Sequence, residues 1–133
     1  MATVSIRYIV DDVDAAIAFY TQHLGFHEVM HPAPTFAMLS RKDLRLVLSA
    51  PSAAGGGGQA MPDGTVPKPG GWNRFQLEIA DLETKVAQLR QAGVRFRNDI
   101  VTGVGGMQIL LDDPSGNPIE LFQPTRPEAS LAK

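Results

Sequence analysis

The chain has no cysteine, no long apolar run and no cluster of basic residues, and each absence removes a class of chemistry. Without cysteine there is no disulfide, no thiolate metal site and no cysteine nucleophile. That is compatible with a reducing compartment, and the expected location is cytoplasmic. No stretch approaches the roughly 20 apolar residues that a membrane-spanning helix needs, and the sequence enters a structured pattern within a few residues without a signal-peptide apolar core. No membrane partner is expected. Twelve Lys and Arg against fourteen Asp and Glu leave a net charge of -2, so a broad phosphate-tracking surface and a nucleic-acid partner are not expected either. What is present is ordinary: 133 residues, 44% hydrophobic and 20% charged, as in a soluble globular chain with one compact core.

Within that length one pattern is written twice. Val4 to Val10 is β-branched and alternating; after Asp12, Val13, Ala16, Ile17, Tyr20 and Leu24 recur at helical spacing until Gly25. From Trp72 the order returns, with Phe75, Leu77 and Ile79 alternating, then Asp81, then Leu82, Val86 and Leu89 at helical spacing until Gly93. Asp12 and Asp81 suit N-caps, and Gly25 and Gly93 suit the reversing residue after a helix. Each helix is followed by material for three strands: Phe26 to Met30, Phe36 to Ser40 and Leu44 to Ala50, then Val94 to Val101, Gly106 to Leu111 and Ile119 to Gln123. The expected fold class is α+β, two βαβββ modules in tandem forming a cupped mixed sheet with the helices outside. Module one spans 3–51, a linker 52–71, module two 72–124 and a tail 125–133, all in a single domain. From Pro51 to Gly71 the chain holds seven Gly and four Pro in 21 residues; this predicts a loop, either a flexible tether or a lid. The tail is expected to be frayed or packed on a neighbour. One such half-sheet leaves its inner face uncovered, and in a short chain two subunits usually complete the burial, so a homodimer is expected.

The run Val10-Asp11-Asp12-Val13-Asp14-Ala15-Ala16-Ile17-Ala18-Phe19-Tyr20, closing with Leu24-Gly25-Phe26, resembles the opening of the vicinal oxygen chelate superfamily. That superfamily includes glyoxalase I, extradiol dioxygenases, and fosfomycin and bleomycin resistance proteins. The end, Asp113-Pro114-Ser115-Gly116-Asn117-Pro118-Ile119-Glu120-Leu121, is similar to its closing hairpin, and the resemblance covers residues 4–124 in order. In metal-dependent members, the resemblance places ligands at four points, which here are Ser5, Val47, Arg74 and Glu120. Of these, Glu120 alone matches. Valine has no donor atom, arginine repels a cation and serine is at best a weak ligand, so no metal and no cofactor are expected. Arg74 and Glu120 fall on strands expected to be close, and a guanidinium beside that carboxylate would take the electrostatic place of the cation.

Strand alternation predicts which side chains line the cleft between the modules: Ser5, Arg7, Val47, Arg74, Gln76, Gln108, Leu110, Glu120 and Phe122, with Arg45 a further candidate. Trp72 and Asn73 are placed at its mouth, beside the glycine-rich loop. A lining that mixes apolar area with a few polar heads suits a small-molecule ligand; for Arg7 and Gln76 the alternative is satisfaction of neighbouring polar groups. His27-Glu28-Val29-Met30-His31 matches the H-E-x-x-H zinc-protease pattern, but that motif needs a helix, and Gly25 before it and Pro32 after it deny one. His23 shares no face with His27 and His31 across the helix end. Gly55 to Gly58 lacks the following Lys-Ser/Thr of a phosphate loop.

Three functions are compatible with this pattern. The favoured one is metal-free binding, or sequestration, of a hydrophobic or aromatic small molecule, with antibiotic resistance among the outcomes the resemblance implies. The alternative is a lyase, isomerase or dioxygenase using Glu120 as general base, with Arg74 or Arg7 stabilising an oxyanion. The third is a complex-bound or stress-associated domain whose cleft is vestigial.

Overall fold

A computed structural model describes residues 4–52 and 56–130; Gly55 of the glycine run, residue 3 and the last three tail residues lie outside the described residues. The elements in order are β1 (Val4–Ile9), α1 (Val13–His23), β2 (His27–Ala33), β3 (Phe36–Arg41), β4 (Leu44–Ser49), a 3-10 turn at Gly56–Gly58, β5 (Gln76–Glu78), α2 (Leu82–Gln91), β6 (Val101–Thr102), β7 (Gly106–Asp112), β8 (Pro118–Pro124) and a 3-10 turn at Pro127–Ala129. They form two four-stranded sheets in the same arrangement, β1-β4-β3-β2 and β5-β8-β7-β6. Each is mixed: β1 runs parallel to β4 and β5 to β8, and the other neighbours are antiparallel. This is the expected α+β class with two βαβββ modules in tandem.

The chain divides into two compact units. The first runs to Gly70 and includes Pro114–Asn117; the second comprises Gly71–Asp113 and everything from Pro118 on. The glycine-rich linker thus belongs to the first unit and the tail to the second. The turn at 114–117 joins the first unit through its side chains. Ser115 Oγ accepts the Asp11 N–H at 2.8 Å, Asn117 Nδ2 donates to the Ile9 carbonyl at 2.8 Å, and Asn117 Oδ1 accepts the Gly70 N–H at 2.7 Å.

In the first unit the helix forms where Asp12 stops the strand. The Asp12 side chain accepts the Ala15 N–H at 3.1 Å, satisfying one of the orphan donors of the first turn. Val13, Ala16 and Tyr20 then recur on one buried face, which packs on the β2, β3 and β4 side of the sheet, where Ala37, Leu39, Leu46 and Leu48 are fully buried. The helix ends at Leu24 because Gly25 turns left-handed at φ 74°, and Arg41 donates to the freed Leu24 carbonyl at 3.0 Å. Partial burial there pulls the Arg41 pKa below its ordinary value, yet an arginine stays charged. In the second unit the Asp81 carboxylate accepts the Thr84 N–H at 3.2 Å and the Thr84 hydroxyl at 2.7 Å, while Gln123 Oε1 accepts the Leu82 N–H at 2.8 Å. Leu82, Val86 and Leu89 bury against the face that carries Leu77, Ile109, Leu111, Ile119 and Leu121.

Three strands differ from the sequence expectation. The stretch from Val94 to Val101 is mostly irregular. Arg97 N–H bonds the Leu110 carbonyl and Asp112 N–H the Arg95 carbonyl around one bridge at Phe96, but Asn98 Oδ1 takes the Leu110 N–H at 2.9 Å and ends the ladder until β6. The strand expected from Trp72 is confined to Gln76–Glu78, preceded by a bond from Glu120 N–H to the Phe75 carbonyl at 3.1 Å. The strand after α1 does not stop at Pro32 but continues to Ala33. It lies at the sheet edge, where a missing N–H costs little, and its register shifts twice on the way. The described part of the tail bonds within its own unit, with Thr125 N–H on the Gly105 carbonyl and the Ser130 hydroxyl on Glu78 Oε2 at 3.1 Å.

Because burial is one-sided, Leu121→Ala on the helix face is expected to lower unfolding stability by about 3 kcal/mol, whereas Gln108→Ala on the opposite face changes it by less than about 0.5 kcal/mol; urea denaturation checks both. The hydrogen bonds from Thr84 hold the Asp81 carboxyl below the usual carboxylate range. A depressed folded pKa gives stability that is present above the unfolded value and lost as pH falls through the folded one. Asp81→Ala should therefore lower the urea midpoint at pH 7, and its deficit relative to wild type should shrink below about pH 4.

Candidate functional site

On each sheet one face is taken by the helix and the other is helix-free, and strand parity puts the expected site residues on the helix-free faces. In the second unit the register sets Gln76 beside Glu120, Glu120 beside Leu110, and Phe122 beside Gln108. Arg74, two residues before Gln76, reaches the same carboxylate. Its Nε and Nη2 both donate to Glu120 Oε1, at 3.0 and 2.9 Å, and Gln76 Nε2 donates to Oε2 at 2.6 Å. Arg74 Nη1 is spent on the Trp72 carbonyl at 3.2 Å. The Glu120 side chain is 10% accessible and that of Arg74 29%. A carboxylate so nearly buried must be paired, because desolvating it without a counter-charge is costly. The pairing of Arg74 with Glu120 that the sequence suggested is thus present.

Further along the same unit Arg97 Nε donates to Asp112 Oδ1 at 2.7 Å, and its Nη1 to the Gly71 carbonyl at 3.1 Å. The Arg97 guanidinium also lies over the indole of Trp72, 5.1 Å from the ring centroid. Trp72 is 70% exposed, and this stacking and the neighbouring turn are what hold it. On the helix-free face of the second unit Arg74 and Arg97 are thus each matched to a carboxylate.

In the first unit Ser5 faces Arg45 across β1 and β4, and Arg7 faces Val47. Ser5 and Arg7 are exposed, Arg45 is half-buried and Val47 is buried. The glycine-rich segment is a seated turn here: Ser52 N–H bonds the Gly58 carbonyl at 3.0 Å and Gln59 N–H the Gly56 carbonyl at 3.3 Å. Gly57 lies so close to the Arg7 guanidinium that a Cβ would overlap it, and a Cβ on Gly58 would overlap the Ala50 carbonyl. Glycine is required at Gly58, where the neighbour is backbone, while at Gly57 a Cβ would oblige the Arg7 head to move; composition alone presented both as looseness.

The four family ligand positions do not make a donor set for a dication. Ser5 offers a weak neutral oxygen and Val47 none, while Glu120 has both oxygens engaged, one of them by a fixed cation. Among the described residues no group of three or more His, Asp or Glu is placed to hold a metal ion. The His27–His31 motif lies on β2, with His31 Nε2 3.6 Å from Asp14 Oδ1. Four residues of the helix-free faces escaped the sequence reading. Glu78 and Asp112 continue the parity of Gln76 and Leu110 and could have been found from it. Ser49, whose buried hydroxyl has no hydrogen-bond partner among the described residues, also keeps the parity of Val47. Gly57 left no signal beyond the run it belongs to.

A model of the Glyoxalase/Bleomycin resistance protein/Dioxygenase superfamily matches residues 3–121 of the chain. No curated protein matches the sequence. Among solved structures, a superfamily member from Sphaerobacter thermophilus DSM 20745 is 27% identical, with a TM-score of 0.72 over 92% of this chain and 98% of its own. TnmS3, an antibiotic binding protein from Streptomyces sp. CB03234, is 26% identical, with a TM-score of 0.70 over 94% and 98%. A lactoylglutathione lyase from Agrobacterium tumefaciens shares the fold at 20% identity, with a TM-score of 0.70 over 92% of each chain.

Breaking the central pair from one side leaves a buried charge. Arg74→Met should lower unfolding stability by about 3 kcal/mol, and the double variant Arg74→Met/Glu120→Leu should recover most of that loss. Chemical denaturation of the three proteins checks it; equal losses in the single and double variants would mean that the pair contributes packing and not charge compensation.

Proposed function

The chain belongs to the Glyoxalase/Bleomycin resistance protein/Dioxygenase superfamily, and from that premise we propose that it is a metal-free binding protein that sequesters a hydrophobic or aromatic small molecule. The observation that carries this function is the engagement of Glu120. The fixed cation of Arg74, held on one oxygen of this carboxylate, disfavours a dication beside it, and Gln76 takes one bond to the other oxygen, while Ser5 and Val47 add no strong donor. The helix-free faces supply apolar area from Val47, Leu110 and Phe122, with the exposed indole of Trp72, and set polar heads among it from Ser5, Arg7, Gln76 and Gln108. That composition gives affinity through the apolar part and orientation through the polar part. The antibiotic binding relative adds support for this function over others in the superfamily.

Catalysis by Glu120 as general base, in a lyase, isomerase or dioxygenase, is less well supported. A base needs an oxygen within hydrogen-bond reach of the proton it removes, and here both oxygens already accept bonds from cationic or amide donors. We place the protein in the cytoplasm as a homodimer, in keeping with a sequence free of cysteine and with helix-free faces that carry exposed side chains. No helix among the described residues is long and apolar enough to cross a membrane.

The test is calorimetric titration of a panel of aromatic compounds into protein dialysed against EDTA. Saturable binding without chemical change of the compound is expected, and Phe122→Ala should weaken it by about tenfold, the loss of roughly one buried aromatic contact. Turnover that EDTA abolishes and added metal restores would contradict the proposal.

A further inference from the structure

The two helix-free faces differ in charge compensation. Among the described residues Arg74, Arg90, Arg97 and Arg126 each pair with a carboxylate, whereas Arg7, Arg41, Arg45 and Arg95 do not; Arg41 donates to the Leu24 carbonyl and Arg95 stands apart in the second unit, which leaves Arg7 and Arg45 together. These two share a face of adjoining parallel strands and stand two residues apart in register, since Ser5 is opposite Arg45 and Arg7 opposite Val47. No acidic residue occupies that face on β1, β4 or β3, where Phe36, Met38 and Ser40 stand opposite Ser49, Val47 and Arg45. Two fixed positive charges are therefore set among apolar and serine side chains, and among the described residues no carboxylate forms an ion pair with either.

A second observation points to the same place. Ser49 is 2% exposed, and its hydroxyl has no hydrogen-bond partner among the described residues. It keeps the parity of Val47 and is paired in register with Ile9, one step along the face from Arg7. A buried hydroxyl without a partner is costly, and an arriving acceptor would remove that cost. The Gly57 backbone, closed against the Arg7 guanidinium, fixes where that guanidinium sits.

We infer that the helix-free face of the first unit recognises a carboxylate, carried on an apolar or aromatic body, through Arg7, Arg45 and the Ser49 hydroxyl. The planar guanidinium fork matches the two oxygens of a carboxylate, the second arginine adds charge, and Ser49 donates to an oxygen lone pair. Val47, Met38 and Phe36 offer the apolar body its contact area. This rests on the small-molecule binding function above and narrows its ligand to an organic anion. In the second unit Arg74 and Arg97 are already matched, and Arg95 has no second uncompensated arginine beside it in register, so that face offers no such pair.

The experiment compares 2-naphthoate with 2-naphthamide, which share a ring and differ by one charge, by calorimetric titration into the full chain. Naphthoate should bind at least about tenfold more tightly. That preference should vanish in Arg7→Met/Arg45→Met and persist in Arg95→Met, a charge-matched control away from the site. Gly57→Ala, which forces the Arg7 head from its seat, should reduce the preference with the fold checked by circular dichroism. The Arg7 and Arg45 Nε–Hε signals in nitrogen-15 NMR should shift with naphthoate and not with the amide. Equal binding of the two compounds, or a preference that survives the double variant, would overturn the anion inference while leaving small-molecule binding intact. Absence of binding by either compound would overturn both.

Discussion

A carboxylate on the inner part of a β-sheet has to be compensated, and in this protein the compensation comes from the chain itself. Glu120 sits on β8 between Gln76 of β5 and Leu110 of β7, with its side chain 10% accessible. Two N–H groups of Arg74 converge on one oxygen and the Gln76 amide on the other. The charge of Glu120 is thereby balanced from within, by a guanidinium that belongs to the chain. What the site can do follows from that constraint. It can hold a shape and present polar heads, with its central carboxylate bonded by Arg74 and Gln76.

The same sheet architecture, repeated, is used differently in the two units. In the second, Arg74 and Arg97 on the helix-free face are satisfied by Glu120 and Asp112, and Arg97 also supports the exposed Trp72. In the first, Arg7 and Arg45 have no such partners, and the glycine turn closes on Arg7. A duplicated fold thus carries one face on which two arginines are held by carboxylates and one on which two neighbouring arginines are not. That asymmetry has no counterpart in the strand orders, which are the same.

Much of the fold could be seen in the sequence because the controlling residues act locally. Asp12 and Asp81 cap the helices that follow them, and Gly25 and Gly93 take the left-handed turn after each helix, at φ 74° and 86°. The buried faces follow the alternation of Leu46 and Leu48, and of Ile119 and Leu121. Failures came where a side chain or a neighbour overrides local preference. Asn98 takes the N–H that would have continued a strand, and Pro32 is tolerated because β2 is an edge. At the site, period-two alternation brought Arg74, Gln76 and Glu120 together correctly, since neighbours in register share a face. It gave no hint that Gly57 must approach Arg7, a contact between residues fifty positions apart set by the path of a loop. The unsatisfied hydroxyl of Ser49 was equally invisible, because burial and partner atoms are properties of packing.

Whether the arginine truly replaces a cation is tested most directly by titrating Mn²⁺ into the purified chain at neutral pH and following the free-ion signal by electron paramagnetic resonance. The account predicts that the signal tracks that of buffer alone, with no saturable loss at micromolar concentrations. Loss of about one equivalent per chain, reversed by EDTA and abolished by Glu120→Gln, would contradict it.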